Sequence, residues 1–92
     1  MAKVIATVDF GADQTDRGDF TVTDASFAGL TYAEAWFMSS DSTTDNNPVS
    51  HEMAAVLIEL SCDAPVGNDI GVHAYVMNGT IAKTMKIRVG AN

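Results

Sequence analysis

The stretch that decides the fold is Tyr32-Ala33-Glu34-Ala35-Trp36-Phe37-Met38, which holds the only tryptophan and one of the two tyrosines of the 92-residue chain. Aromatic side chains favour pleated, packed surfaces. Gly29 precedes the stretch, and Ser39-Ser40-Asp41 follows it as a turn-forming sequence. We therefore predict a central strand. Its two faces would be Ala33, Ala35 and Phe37 on one side and Tyr32, Glu34, Trp36 and Met38 on the other.

Four further stretches alternate apolar and polar residues with the two-residue period of a strand. They are Lys3–Phe10, Phe20–Thr23, Ile70–Met77 and Ile81–Val89. Asn78-Gly79 favours a tight hairpin, because both residues tolerate positive φ. We therefore predict that the last two strands pair antiparallel. The first two could also form a hairpin, although the polar segment between them is longer than usual.

The segment His51–Cys62 fits two structures. Met53, Val56, Leu57 and Leu60 form a helical stripe, with Ser50 as a possible N-cap. Val56, Ile58, Leu60 and Cys62 instead alternate as in a strand. The β-branched residues and the strand-rich context favour a strand over residues 52–61. The preceding Ser39–Ser50 is predicted to be a long loop, which in a small domain is usually functional or mobile.

Six strands at short spacing, without the pattern of βαβ units, predict the all-β class. We expect residues 1–92 to form a single domain, a small antiparallel β-sandwich of the jelly-roll or immunoglobulin-like type. The connector Asp24–Thr31 contains Phe27 and Leu30 and should lie over the core. Lys83, Lys86 and Arg88 would protect an edge strand from aggregation.

Charge and composition exclude several classes of partner. Twelve acidic against five basic residues give a net charge of −7. This charge argues against nucleic acid and against anionic membrane surfaces. The longest apolar run, Met53–Ile58, is far shorter than the roughly 20 residues needed to cross a bilayer. Cys62 is the only cysteine, and no apolar signal segment is visible near Met1. These features favour folding in a cytoplasm.

No pattern in the sequence predicts catalysis. The sequence His51-Glu52-Met53-Ala54-Ala55 begins like a zinc-protease helix but has Ala55 where the second histidine must stand. Phosphate-binding and dinucleotide-binding fingerprints are missing as well. A chain of this size also rarely encloses a pocket of a few hundred Å³. We predict that the protein is not an enzyme and uses no cofactor.

The acidic loops contain only weak candidates for a metal site. Asp41 and Asp45 lie in a stretch rich in hard oxygen ligands, which calcium prefers. The EF-hand spacing, its glycine and its terminal glutamate are missing. A solvated acidic loop is therefore the preferred interpretation, and no metal is predicted.

Three other features are expected to be structural. Asp13, Asp16 and Asp19 surround Arg17 in a segment expected to be a solvated turn. His73 is expected to be a hydrogen-bonded or surface histidine, and Cys62 a half-buried, unreactive residue.

Three stretches taken together resemble a group of small proteins encoded by tailed bacteriophages. Val4–Gly11 resembles their V-x-x-V-D-F-G opening, and Tyr32–Met38 resembles their Y-V-E-A-W-x-M segment. Ser42–Asp45, followed by His51-Glu52, resembles their loop S-T-A-D-H … D-E-H. The chain departs from that loop at Asn46, where the group usually has histidine, and in the inverted order of His51-Glu52.

The resemblance implies a virion structural protein, made in the cytoplasm of the host bacterium. We expect a capsid decoration or cement protein that binds the head shell through protein–protein contacts, as a homo-oligomer or in many copies. The alternative is a tail or fibre module that binds a host receptor or carbohydrate through residues 39–50, with Trp36 or Tyr75 as a stacking platform. The expected anchors, which could instead lie in the core, are Tyr32, Trp36, Met38 and Tyr75.

Overall fold

The computed structural model describes all 92 residues, which form two three-stranded antiparallel sheets. The strands are β1 (Ala2–Asp9), β2 (Arg17–Thr23), β3 (Ala33–Trp36), β4 (Ile58–Cys62), β5 (Asp69–Val76) and β6 (Thr84–Ala91). Helix α1 spans Pro48–Leu57, and a short 3-10 helix spans Ala25–Phe27. Sheet 1 has the order β1-β6-β3 and sheet 2 the order β2-β5-β4. The predicted small all-β sandwich is confirmed.

A single apolar core takes alternate residues from both sheets. Sheet 2 contributes Ile70, Val72, Ala74 and Val76 from β5, and sheet 1 contributes Met85, Ile87 and Val89 from β6. The alternation predicted for these two stretches is therefore confirmed, with one buried face in each strand. Phe27 of the 3-10 helix is completely buried, which confirms that the connector after β2 lies over the core. Each such fully buried side chain stabilises the fold by about 1.5–3 kcal/mol.

Both predicted hairpins are wrong. The strands β5 and β6 belong to different sheets, because each pairs with two other strands, and β1 and β2 are likewise in different sheets. After Gly79, which has φ of +108°, the chain leaves sheet 2, and Ile81 forms an isolated bridge with Thr15 of the segment between β1 and β2. Lys83, with φ of +64°, completes the crossing to sheet 1. As the middle strands of two stacked sheets, β5 and β6 meet across the core instead of side by side.

Two further details of sheet 1 differ from prediction. The strand β3 is a four-residue edge strand and not a central one, although its predicted faces are correct: Phe37 is buried and Tyr32 is exposed. The bases Lys86 and Arg88 lie on the middle strand, so they do not protect an edge, and Lys83 precedes it.

The strand predicted over residues 52–61 is wrong in its first half, where α1 occupies the chain. The N-cap is Asn47 and not Ser50: the side chain of Asn47 accepts a hydrogen bond from the backbone N–H of Ser50 at 2.9 Å. Pro48 at the first helical position is pre-organised for a helix. The helix buries His51 and Ala54 and leaves Met53 exposed, so the apolar stripe seen in the sequence is not its packing face. From Ile58 the chain is a strand, as predicted.

Side chains from the loop and from α1 complete the edge of β6 that β3 leaves open. Because β3 ends at Trp36, the backbone of β6 before Arg88 has no neighbouring strand on that side. Nε2 of His51 accepts a hydrogen bond from the backbone N–H of Lys86 at 2.9 Å. Oδ2 of Asp45 accepts one from the N–H of Thr84 at 3.2 Å, and Nδ2 of Asn46 donates to the carbonyl oxygen of Thr84 at 2.7 Å. These three side chains act where strand backbone would otherwise be required.

The hydrogen bonds of His51 show which ring nitrogen carries the hydrogen. Nε2 faces an N–H donor, so it must be the unprotonated nitrogen. Nδ1 lies 3.0 Å from the carbonyl oxygen of Asn47, which can only accept, so Nδ1 carries the hydrogen. The ring is fully buried, and no buried polar side-chain atom in the protein lacks a partner.

Replacing His51 by alanine should strongly destabilise the protein. The change leaves the N–H of Lys86 without an acceptor and opens a cavity under α1, which together should cost about 2–4 kcal/mol in the free energy of unfolding. Glu52→Ala, on the exposed side of the same helical turn, should change that free energy by less than about 0.5 kcal/mol. Urea unfolding of both variants measures this, and equal stabilities would contradict the proposed role of His51.

Candidate functional site

The outer face of sheet 1 carries three of the four predicted anchors. Tyr32 is 74% exposed, Met38 is 37% exposed, and Trp36 between them is half-buried. Trp36 points outward because successive side chains of β3 alternate, and Tyr32 and Met38 flank the strand at its two ends. Ile5, which is also exposed, lies in register with Arg88 and Trp36 across the sheet. We use the name β3 face for the apolar side chains of this outer face, which are Met1, Ile5, Tyr32, Trp36 and Met38; Glu34 lies between Tyr32 and Trp36, and Arg88 lies between Ile5 and Trp36.

The indole of Trp36 lies close over the backbone of β6 at Gly90. A Cβ atom on Gly90 would be 3.4 Å from the ring of Trp36 and 3.3 Å from Sδ of Met1. The absence of a side chain at Gly90 thus lets the ring lie down on the sheet, with Met1 beside it. Sheet packing fixes the position of the ring.

An ion pair borders Trp36. Nε and one terminal nitrogen of Arg88 donate to the two carboxylate oxygens of Asp41 at 3.0 and 2.7 Å. These bonds hold the pKa of Asp41 below its usual value and raise the pKa of Arg88. The bidentate geometry ties the loop after β3 to the outer face of sheet 1. The residues stand 47 positions apart, so no local sequence pattern predicts the pair.

The structure gives Asp41 and Asp45, the weak metal candidates, other partners. Asp41 binds Arg88, while Oδ2 of Asp45 accepts hydrogen bonds from the hydroxyl and the N–H of Thr84 at 2.6 and 3.2 Å. The bonds from Thr84 lower the pKa of Asp45. No three His, Cys, Asp or Glu side chains in the chain are grouped so that they could hold a metal ion. These two carboxylates therefore fasten the loop to β6.

Tyr75, the fourth predicted anchor, lies on the opposite side of the molecule. It is 51% exposed on the outer face of sheet 2, in register with Arg17 and Glu59. Trp36 and Tyr75 therefore cannot contribute to one contact surface. Tyr32 and Tyr75 are both exposed, so neither is a core residue.

On the outer face of sheet 2, His73 lies between two carboxylates. Its Nδ1 is 2.7 Å from Oδ1 of Asp19, and its Nε2 is 3.0 Å from Oδ2 of Asp63. Carboxylate oxygens accept hydrogen bonds, so both ring nitrogens act as donors only in the imidazolium form. The hydrogen bonds from Asp19 and Asp63 raise the pKa of His73, and the bond with His73 lowers the pKa of Asp19. Asp19 is thus a strand residue with a specific partner, not part of a solvated turn.

Gly71 makes room for this cluster. A Cβ atom on Gly71 would lie within van der Waals overlap of the carboxylate of Asp63, which therefore crosses the strand at this glycine. The sequence indicated that His73 was hydrogen-bonded or exposed but did not indicate its partners. Asp63 follows β4 in the next loop, and only the pairing of β4 with β5 brings it to His73.

An open groove of about 520 Å³ runs beside α1. Its apolar lining includes Val49, Met53, Leu57 and Ile81, of which Val49 and Met53 are exposed. The hydroxyl of Ser50, also in the lining, donates to Oδ1 of Asn47 and so belongs to the helix cap. The groove lining includes neither histidine nor cysteine.

Cys62 is half-buried and unpaired, as predicted. Burial, and then the nearby charges of Asp63 and Glu34, raise the pKa of its thiol. The unreactive thiol form is therefore favoured at neutral pH.

Comparisons with known proteins give no further identification. No protein-family model matches the chain, and neither the curated proteins nor the solved structures contain a match. None of its helices is both long enough and apolar enough to cross a membrane. The resemblance to phage proteins therefore stays a prediction.

The cluster of His73 should be visible in a pH titration. We expect His73 to titrate above 6.5 by NMR and to move toward 6.5 in Asp19→Asn. Since the pKa of His73 is raised, its contribution to stability is complete below pH 6.5 and is lost as pH rises through the folded pKa. Since the pKa of Asp19 is lowered, its contribution is complete above pH 3.8 and is lost as pH falls through its folded pKa.

The control for this titration is Asp13→Asn, which removes the same charge from an exposed position outside the cluster. It should leave the titration of His73 nearly unchanged. Equal shifts in both variants would mean that net charge, and not the contact with Asp19, sets the pKa of His73.

Proposed function

We propose that the protein is a bacteriophage virion structural protein, a capsid decoration protein that binds the head shell through the β3 face. The observation that carries the proposal is the outward orientation of Tyr32, Trp36 and Met38 on one rigid face. Aromatic residues and methionine are enriched in protein interfaces, where a few of them supply most of the binding energy.

The surroundings of the β3 face support a protein partner. Lys3 and Glu34, of opposite charge, flank Gly90 in the outward row between Tyr32 and Trp36, and Arg88 and Asp41 neutralise each other beside Trp36. Apolar anchors combined with polar groups of both charges are compatible with a specific protein interface. The net charge of −7 favours a partner surface with basic residues.

A tail or fibre module that binds carbohydrate or a host receptor is the second candidate. The half-buried ring of Trp36 lies beside the Arg88–Asp41 pair, which places an aromatic platform next to hydrogen-bonding groups. In this proposal Trp36 and the loop after β3 form the binding site. Tyr75 takes no part, because it lies on the other sheet.

Proteomics of purified phage particles, with copy counting, tests the virion role. A decoration protein should be present at hundreds of copies per particle, whereas a tail or fibre module should be present at tens or fewer. Particles in which this chain is undetectable would exclude both candidates.

Attachment should depend on Tyr32 and Met38. Tyr32→Ser and Met38→Ser should each reduce binding to undecorated shells about tenfold or more, because each removes an exposed apolar anchor beside Trp36 on the β3 face. Tyr75→Ser removes a similarly exposed aromatic side chain from the other sheet and should bind like the parent protein. Co-sedimentation with shells gives the bound fraction. Binding losses that are equal for Tyr32→Ser and Tyr75→Ser would place the contact elsewhere.

A further inference from the structure

The outer edge of β1 is a long strand edge without a partner. The strand β1 spans eight residues, pairs with β6 on one side, and is the edge strand of sheet 1 on the other. An open groove of about 600 Å³ separates it from β2, the edge strand of sheet 2. Natural proteins usually shorten, cover or charge such edges, because unpaired N–H and C=O groups invite another strand.

The register with β6 identifies the backbone groups at this open edge. Beyond the strand end, the N–H of Phe10 donates to the carbonyl of Lys83, so even-numbered residues of β1 point their N–H and C=O groups toward β6. The odd-numbered residues point theirs away from β6. The free groups therefore belong to Lys3, Ile5, Thr7 and Asp9.

When two copies of β1 are aligned antiparallel, with Ala6 of one copy opposite Ala6 of the other, their side chains are complementary. Lys3 then stands opposite Asp9 of a second copy, Ile5 stands opposite Thr7, and Val4 stands opposite Val8. Opposed residues share a face of the sheet, so an exposed base meets an exposed acid at both ends of the pairing. Ile5 and Thr7 are both β-branched and favour cross-strand contact, and the two valines meet on the core side.

We propose that two copies of this chain associate through their β1 edges, antiparallel and with the two-fold axis at Ala6. The register pairs odd residues with odd residues, so it uses all the free groups and forms about eight hydrogen bonds, one from each edge N–H of the two copies. The two copies of sheet 1 become one continuous six-stranded sheet. This arrangement is isologous and closed, so it ends at a dimer.

The other long open edge does not offer the same fit. In β2 the backbone groups that point away from β5 belong to Arg17, Asp19, Thr21 and Thr23, and those of Arg17 are already bonded to the hydroxyl of Thr15. Pairing about Phe20 places Arg17 opposite Thr23 and Asp19 opposite Thr21, so no charge finds its opposite. Asp19 already has an ionic partner in His73, whereas the carboxylate of Asp9 accepts a hydrogen bond only from the uncharged N–H of Gly11. Charge complementarity thus favours β1 and a second copy of the same chain.

The proposal predicts a concentration-dependent dimer in sedimentation equilibrium of the purified protein. Thr7→Pro should raise its dissociation constant about tenfold or more, because proline removes an edge N–H from each copy. The N–H of Thr7 points away from β6, so the substitution leaves the internal sheet bonded, and circular dichroism should show the parental fold. Thr7→Ala, which keeps the N–H, is the matched control and should stay dimeric. A protein that is monomeric at millimolar concentration would overturn the proposal, as would a dimer that Thr7→Pro leaves intact.

A charge exchange tests the register. Lys3→Asp brings two acids together at each end of the pairing, and Asp9→Lys brings two bases together, so each variant alone should dimerise at least about tenfold more weakly. In an equimolar mixture, Asp at position 3 of one variant faces Lys at position 9 of the other, and Asp9 faces Lys3, so a heterodimer should form. Failure of the mixture to associate more strongly than either variant would overturn this register.

The dimer does not depend on the proposed virion role, because both experiments use the isolated protein. A dimer without any copy in phage particles would support this inference and reject the virion role. A monomer found in many copies on the shell would do the reverse.

Discussion

The structure depends on satisfying the backbone of β6, the middle strand of sheet 1. Its core-facing residues Met85, Ile87 and Val89 are fully buried, so the strand needs a partner on each side. The strand β1 covers one side along its full length, but β3 covers only the part from Arg88 onward. The remaining backbone groups on that side, at Thr84 and Lys86, form hydrogen bonds with the side chains of Asp45, Asn46 and His51. Each N–H left unpaired at this depth would cost about 1–3 kcal/mol in the free energy of unfolding.

This arrangement explains why the segment after β3 is ordered although it contains little apolar surface. Asp41 bonds Arg88, Asp45 bonds Thr84, and His51 anchors α1 to the same strand. The loop side chains that resembled a calcium site are thus occupied in holding the sheet. Because they hold it rigidly, Trp36 and its neighbours keep a fixed outward arrangement, which is what a docking surface requires.

The two outer faces of the sandwich differ in chemistry. Sheet 1 exposes Tyr32 and Met38, whereas sheet 2 exposes an acidic cluster around His73. The proposed association through β1 would bring two β3 faces into one surface and leave both copies of sheet 2 outside. A weak contact made by one copy would then be made twice by the pair, which increases the apparent affinity for a repetitive partner.

The sequence by itself determined the strand content, the inward faces of most strands and the exposure of Tyr32, because a two-residue period directly states which side chains share a face. It also identified Phe27 as a residue over the core. Only the tertiary structure decided which strands pair, since Asn78-Gly79 allows a hairpin but equally allows the crossing that stacks β5 on β6. It also decided the helix at Pro48–Leu57, because the buried hydrogen bond from Lys86 to His51 outweighs the alternation of Val56 and its neighbours. Contacts between residues 35 or more positions apart leave no local pattern in a sequence.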